Sequence, residues 1–305
     1  MVKLVENKGM MGYILSFASS LTYSIWLVGS GFIILTSHGG FPIFYLLVIM
    51  CVGMVFSLMF GLPSYIDKRT LVPFFSGILF GLANFVLYFL IRSNDITVAS
   101  SFAEFNVLFF PILLYAFNKK KTKVSKYIIG LLLVTFGLII ENLVSKRSYI
   151  LTPLDIFLGI FMGFLYAVAT YAIYLSIGHE HSSNSSIFYV FFGETVVLFL
   201  LWSLLKFKIY PALNPISITL SFIIAAALVI ALSLEIKGYR TLRNIGLRQI
   251  TIGNILSNLE LLPVIAFAFI LYPSLRIEYT IGLLLVTAGI LVVSVDMDNF
   301  HRIYK

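Results

Sequence analysis

The chain has 305 residues, of which 60% are apolar and only 11% charged, with a mean hydropathy of +1.03; a soluble domain carries about a quarter charged residues. Composition therefore excludes a soluble enzyme or binding module and points to an all-α membrane protein, because in hydrocarbon the backbone must satisfy its own hydrogen bonds, and runs of ~20 apolar residues without alternation do so as helices. The single cysteine, Cys51, excludes an internal disulfide and has no metal-ligand companion.

Apolar runs fall at 10–36, 42–61, 72–91, 97–117, 126–143, 154–177, 187–205, 216–236, 249–272 and 277–295, each bounded by charged, Pro, Gly or Asn residues. That predicts ten transmembrane helices with short loops. The first run is too long for a signal-peptide core and lacks a small-residue cleavage site, so it reads as a span.

Of the 21 Lys and Arg residues, six fall on the odd-numbered connections (Arg92, Lys146, Arg147, Lys206, Lys208 and Arg276). The other fifteen lie at the chain ends and on the even-numbered connections, with a cluster from Lys119 to Lys126. Basic residues are retained on the cytoplasmic side during insertion, so both termini are expected there, in a multi-pass protein of the cell membrane. The net charge of +8 is mostly this asymmetry. It is read as a topology signal and a contact to membrane lipid headgroups, with no nucleic-acid partner.

One stretch occurs twice: Tyr127 to Gly137 reads YIIGLLLVTFG and Tyr279 to Gly289 reads YTIGLLLVTAG, at an offset of 152 (279 − 127), half the chain. At the same offset Asn106 meets Asn258 and Pro111 meets Pro263. The first spans of the halves match more weakly, Leu21 to Trp26 resembling Ala169 to Tyr174. The reading is a duplication, with one unit over 1–148 and the other over 149–305. Five spans per unit is odd, so the second copy enters the membrane inverted; two inverted five-helix repeats are a transporter architecture with the site near the midplane.

Ten spans in two halves, each closing on a Gly-Leu-Leu-Leu-Val-Thr-x-Gly helix after a Pro-containing one, resemble the drug/metabolite transporter superfamily, EamA type. The resemblance implies alternating-access export or exchange of small metabolites such as amino acids through a central cavity. It carries no functional residue over.

Glycine stripes mark faces that meet protein. In the third span Gly77, Gly81, Asn84 and Tyr88 share a face, and in the sixth Gly159, Gly163, Tyr166 and Thr170 do; each passes from small residues to polar ones, as a cavity wall does or as a packed polar interface does. Gly130 and Gly137, with Gly282 and Gly289, read as scaffold. Tyr23, Trp26, Tyr88, Tyr166, Tyr171 and Tyr174 are aromatic candidates for a pocket.

Glu104, Glu194 and Glu260 lie within apolar runs, where a charge costs ~3 kcal/mol on insertion scales. Glu104 and Glu260, about one turn from each other's equivalent position, are expected to flank the pathway, where proton exchange couples to transport or a carboxylate recognises a cationic amine; Glu194 is a third proton-coupling candidate. The alternative is a protonated Glu bonded to Asn106, Asn254, Ser257 or Asn258 for packing alone. Local loosening of the backbone is expected near Pro111 and Pro263.

No Lys or Arg lies deep in a span, which disfavours phosphorylated substrates. His179 and His181 read as solvated loop residues. With no nucleophile set, metal set or phosphate-loop pattern, neither catalysis nor a cofactor is expected. The expectation is a secondary transporter of a small organic molecule, or a proton-coupled exporter of cationic drugs, with an intramembrane enzyme or lipid-handling scaffold as the other class. A homodimer is compatible with the scaffold helices.

Overall fold

Stretches this apolar form helices throughout. A computed structural model describes residues 2–36, 43–60, 70–93, 99, 102–118, 152–177, 183–205, 215–259 and 277–294, and 129–140 in part; among them every regular element is a helix. In chain order these are α1 (Val2–Thr36), α2 (Ile43–Ser57, continued by a 3-10 turn, Leu58–Phe60), α3 (Leu71–Ser93), α4 (Phe105–Phe117), α5 (Pro153–Ser176), α6 (Ser183–Leu204), α7 (Pro215–Arg243), α8 (Leu247–Ser257) and α9 (Ile277–Ser294). Six of them, α1, α2 with its 3-10 turn, α3, α5, α6 and α7, are long and apolar enough to cross a membrane, a fold compatible with a multi-pass protein.

The surface is apolar and much of the interior small or polar. On α1, Phe17, Leu21, Ile25 and Phe32 are 43 to 48% exposed, whereas Ser16, Ser20, Ser24 and Ser30 are buried. Acyl chains solvate the outer side chains, while small residues inside let helices approach closely. Two of these hydroxyls bond to their own helix: Ser20 donates to the Phe17 carbonyl at 2.8 Å and Ser24 to that of Leu21 at 2.7 Å. At the start of α5, Thr152 and Asp155 form a capping box, with Pro153 in the first turn, where a missing N–H costs no intrahelical bond.

Helix and apolar run part at several ends: α1 starts at Val2, eight residues before the run that begins at 10, and α8 closes at Ser257, inside the run 249–272. α7 continues seven residues beyond the run that ends at 236, carrying Lys237, Arg240 and Arg243 as helix rather than as connection; a charged residue ends an apolar run without ending a helix. The fourth span is not continuous: residues 102 and 103 are helical, Glu104 lies in a turn and α4 starts at Phe105, with the Val107 N–H donating to the Glu104 carbonyl at 2.9 Å. Pro111 lies inside α4 without ending it, so the break is two turns earlier than the proline suggests. Phe102 and Phe105, flanking the turn, stack at 6.1 Å and seat on the notch left by Gly159 and Gly163 of α5.

Packing runs across the two halves. α1 lies along α7 and α5 along α3; α4 packs on α5 and α8 on α1; α6 lies against α2 and α3, and α2 also touches α7. Glycines make the closest of these approaches. Gly77 of α3 and Gly193 of α6 bring two backbones together, Gly77 against the Val190 carbonyl and Gly193 against that of Phe74. Gly137 lies against the Gly282 carbonyl and Val286 of α9, so the glycines of the repeated stretches join those two segments.

Candidate functional site: a central cavity with two buried carboxyl groups

Between α1, α3, α5, α6, α7 and the facing parts of α4 and α8 lies a cavity of about 730 Å³ of empty space, part of it continuous with its mouth. The described lining combines Tyr23, Trp26, Phe80, Asn84, Asn106, Tyr166, Phe191, Glu194, Glu235, Ser257 and Asn258 with the aliphatic Leu27, Leu87, Ala103, Val190, Leu228 and Leu232.

Its polar groups form two clusters of one construction. In the first, the Tyr166 hydroxyl on α5 donates to Asn84 Oδ1 on α3 at 2.6 Å, and Asn84 Nδ2 donates to Glu194 Oε2 on α6 at 3.0 Å. In the second, the Tyr23 hydroxyl on α1 donates to Glu235 Oε2 on α7 at 2.7 Å. Each time a tyrosine on the first helix of one half reaches a polar side chain on the third helix of the other. Glu194 and Glu235 are each 5% exposed, and hydrogen bonds to a carboxyl group in so dry a setting are strong ones.

A third set joins α4 to α8. Asn106 Nδ2 donates to Asn258 Oδ1 at 2.9 Å, and Asn258 Nδ2 donates to the Asn254 carbonyl at 2.6 Å. Asn254 Nδ2 in turn donates to the Tyr239 hydroxyl at 3.0 Å. Two asparagines 152 positions apart are thus bonded to each other.

Of the residues singled out in the sequence, Tyr23, Trp26, Asn84, Tyr166, Glu194 and Asn258 line the cavity. Glu104, Tyr88 and Tyr171 are not among the lining. Glu104 is buried in the turn before α4, between Ala103 and Asn106, which do line it. Tyr88 stacks behind Trp26 at 5.6 Å and donates to Ser30 Oγ at 3.0 Å. Tyr171 stacks on Phe117 at 5.2 Å in a second apolar cluster with Phe110, Leu114, Tyr174, Leu242 and Ile250; there the Arg243 guanidinium lies 5.1 Å from the Tyr174 ring centre. Glu260 and Pro263 lie outside the described residues, as do His179 and His181.

Glu235 escaped the sequence reading. It sits in the last turn of the apolar run ending at 236, where it reads as part of a charged helix end with Lys237 and Arg240. The signal that finds it is the spacing Glu235 to Tyr239, which repeats Asn84 to Tyr88 on the corresponding helix of the other half.

An all-helical chain with six membrane-length helices around an internal polar cavity is the class these observations define. No family model matches the sequence, and no curated protein does. Among solved structures, one crystal structure of a protein superposes with a TM-score of 0.61 over 93% of this chain and 98% of that one, at 14% identity; the likeness is one of fold.

Proposed function

We propose that this protein is a secondary transporter of small organic molecules, built as ten helices in two inverted five-helix repeats and working by alternating access. In this reading it is an EamA-type member of the drug/metabolite transporter superfamily, in the cell membrane with both termini cytoplasmic. It moves its substrate and does not transform it.

The observation that carries the reading is the Asn106 to Asn258 hydrogen bond at the cavity wall. A residue that bonds to its own duplicate, 152 positions away, lies close to the axis relating the two copies, and a substrate site at the interface of repeats is what alternating access requires. Exchange of the halves supports the same conclusion: α1 on α7 has its counterpart in α5 on α3, and α8 on α1 in α4 on α5. The turn at Glu104 and the end of α8 at Ser257 lie 153 positions apart (257 − 104), close to the offset of the repeated stretches.

Flux into proteoliposomes, with a panel of amino acids, amines and nucleosides and with or without a pH gradient, tests the reading. Saturable, protein-dependent flux of at least one solute is expected; no flux above empty liposomes across the panel overturns it. Glu194, on the cavity wall, is the described carboxyl group of the original three from which a proton can be exchanged with the cavity.

A further inference from the structure

We infer that the cavity binds a protonated amine on an apolar body, its N–H groups received by Glu194 and Glu235. The inference deepens the transport reading and shares its cavity.

The hydroxyl donors of the described wall are already spent on the wall itself. Tyr166 donates to Asn84, Tyr23 to Glu235 at 2.7 Å, and Ser257 to the Asn254 carbonyl at 2.9 Å. Asn84 is committed at both ends, accepting from Tyr166 and donating to Glu194. Beside the Trp26 indole N–H and the second amide hydrogens of Asn84 and Asn106, what the wall offers an occupant is therefore acceptors. A carboxylate has several lone-pair positions; Asn84 engages Glu194, and Tyr23 and Tyr239 engage Glu235.

Charge and shape agree. The described lining has two carboxyl groups and no Lys, Arg or His, so an anion meets no counter-charge there. Trp26, Phe80 and Phe191 supply aromatic surface for an apolar body and for the cation itself. A zwitterionic amino acid carries the ammonium but also a carboxylate that no described cation receives.

The test reads binding rather than flux, on the purified protein in nanodiscs of neutral lipid at near-neutral pH. Calorimetry with phenethylamine, its N,N,N-trimethyl derivative, phenylalanine and phenylacetate compares one apolar body with four head groups. Saturable binding of phenethylamine is expected, with each of the other three weaker by about tenfold or more, the trimethyl derivative because it has charge without N–H. Glu194→Gln and Glu235→Gln should each weaken phenethylamine binding by about fivefold or more.

Equal binding of phenethylamine and phenylacetate, absence of saturable amine binding, or unchanged affinity in both variants overturns the inference. The head-group series uses the wild-type protein, so it decides even where a variant fails to fold. Saturable flux of a non-amine by a protein that does not bind amines would remove this assignment and keep the transport reading; amine binding without flux of any solute would do the reverse.

Discussion

Asn84 holds the most consequential single position. It accepts from Tyr166 and donates to Glu194, so a residue that cannot do both leaves two buried polar groups unmatched. Asn84→Leu is expected to destabilise the protein by ~1–3 kcal/mol, read as a lowered Tm in detergent. Asn118→Ala, at the exposed end of α4, should change stability by about 0.5 kcal/mol or less; equal effects would mean that the cavity network contributes nothing. Residues of this kind were legible in the sequence because a polar group in an apolar run is costly and so conspicuous, which is how Asn84, Tyr166 and Glu194 were found. Glu235 was not, because Lys237 and Arg240 made its neighbourhood look like a loop. Tyr88 and Tyr171 were conspicuous too, yet their rings are taken up by Trp26 and Phe117, and sequence spacing does not say which neighbour a ring will find.

Helices in this protein are held by what their glycines omit. A Cβ at Gly77 would overlap the Val190 carbonyl, a backbone atom that cannot step aside, whereas one at Gly9 meets only the tip of Ile245 at 3.3 Å. Gly77→Ala should therefore push α3 off α6 and cost ~1–3 kcal/mol or more, and Gly9→Ala should be close to neutral, as thermal unfolding will report. The stripes Gly77 to Tyr88 and Gly159 to Thr170 were readable from their 4-3-4 spacing, and α3 and α5 lie close to their apolar runs. What could not be read is where backbone is interrupted. Pro111 drew the expectation to itself, but a proline inside a helix displaces one hydrogen bond, and the turn falls at Glu104, where Phe102 and Phe105 settle on the glycines of another helix. That is a tertiary contact with no local signature.

At the scale of the molecule, the proposed duplication requires that Asn106 and Asn258, which are hydrogen-bonded beside the cavity, be neighbours. Asn106→Cys with Asn258→Cys, in a Cys51→Ser background, is expected to be joined by a short bifunctional thiol reagent. The joined chain should stay in one piece after cleavage at a protease site inserted between 178 and 182; two fragments at every reagent length would show that the equivalent positions do not meet. The duplication was visible because the repeated Gly-Leu-Leu-Leu-Val-Thr-x-Gly stretches are scaffold, packed backbone to backbone at Gly137 and Gly282, where few residue types fit. The crossing of helices between halves was not visible, since apolar faces of similar composition do not specify their partners.

The most direct test of the central cavity as a transport site is its accessibility from each face of the membrane. A single cysteine at Ala103, on the cavity wall, in the Cys51→Ser protein should react with a membrane-impermeant thiol reagent in both right-side-out and inside-out vesicles, and a bound substrate should slow both reactions. Labelling from one side only, or from neither, would contradict alternating access.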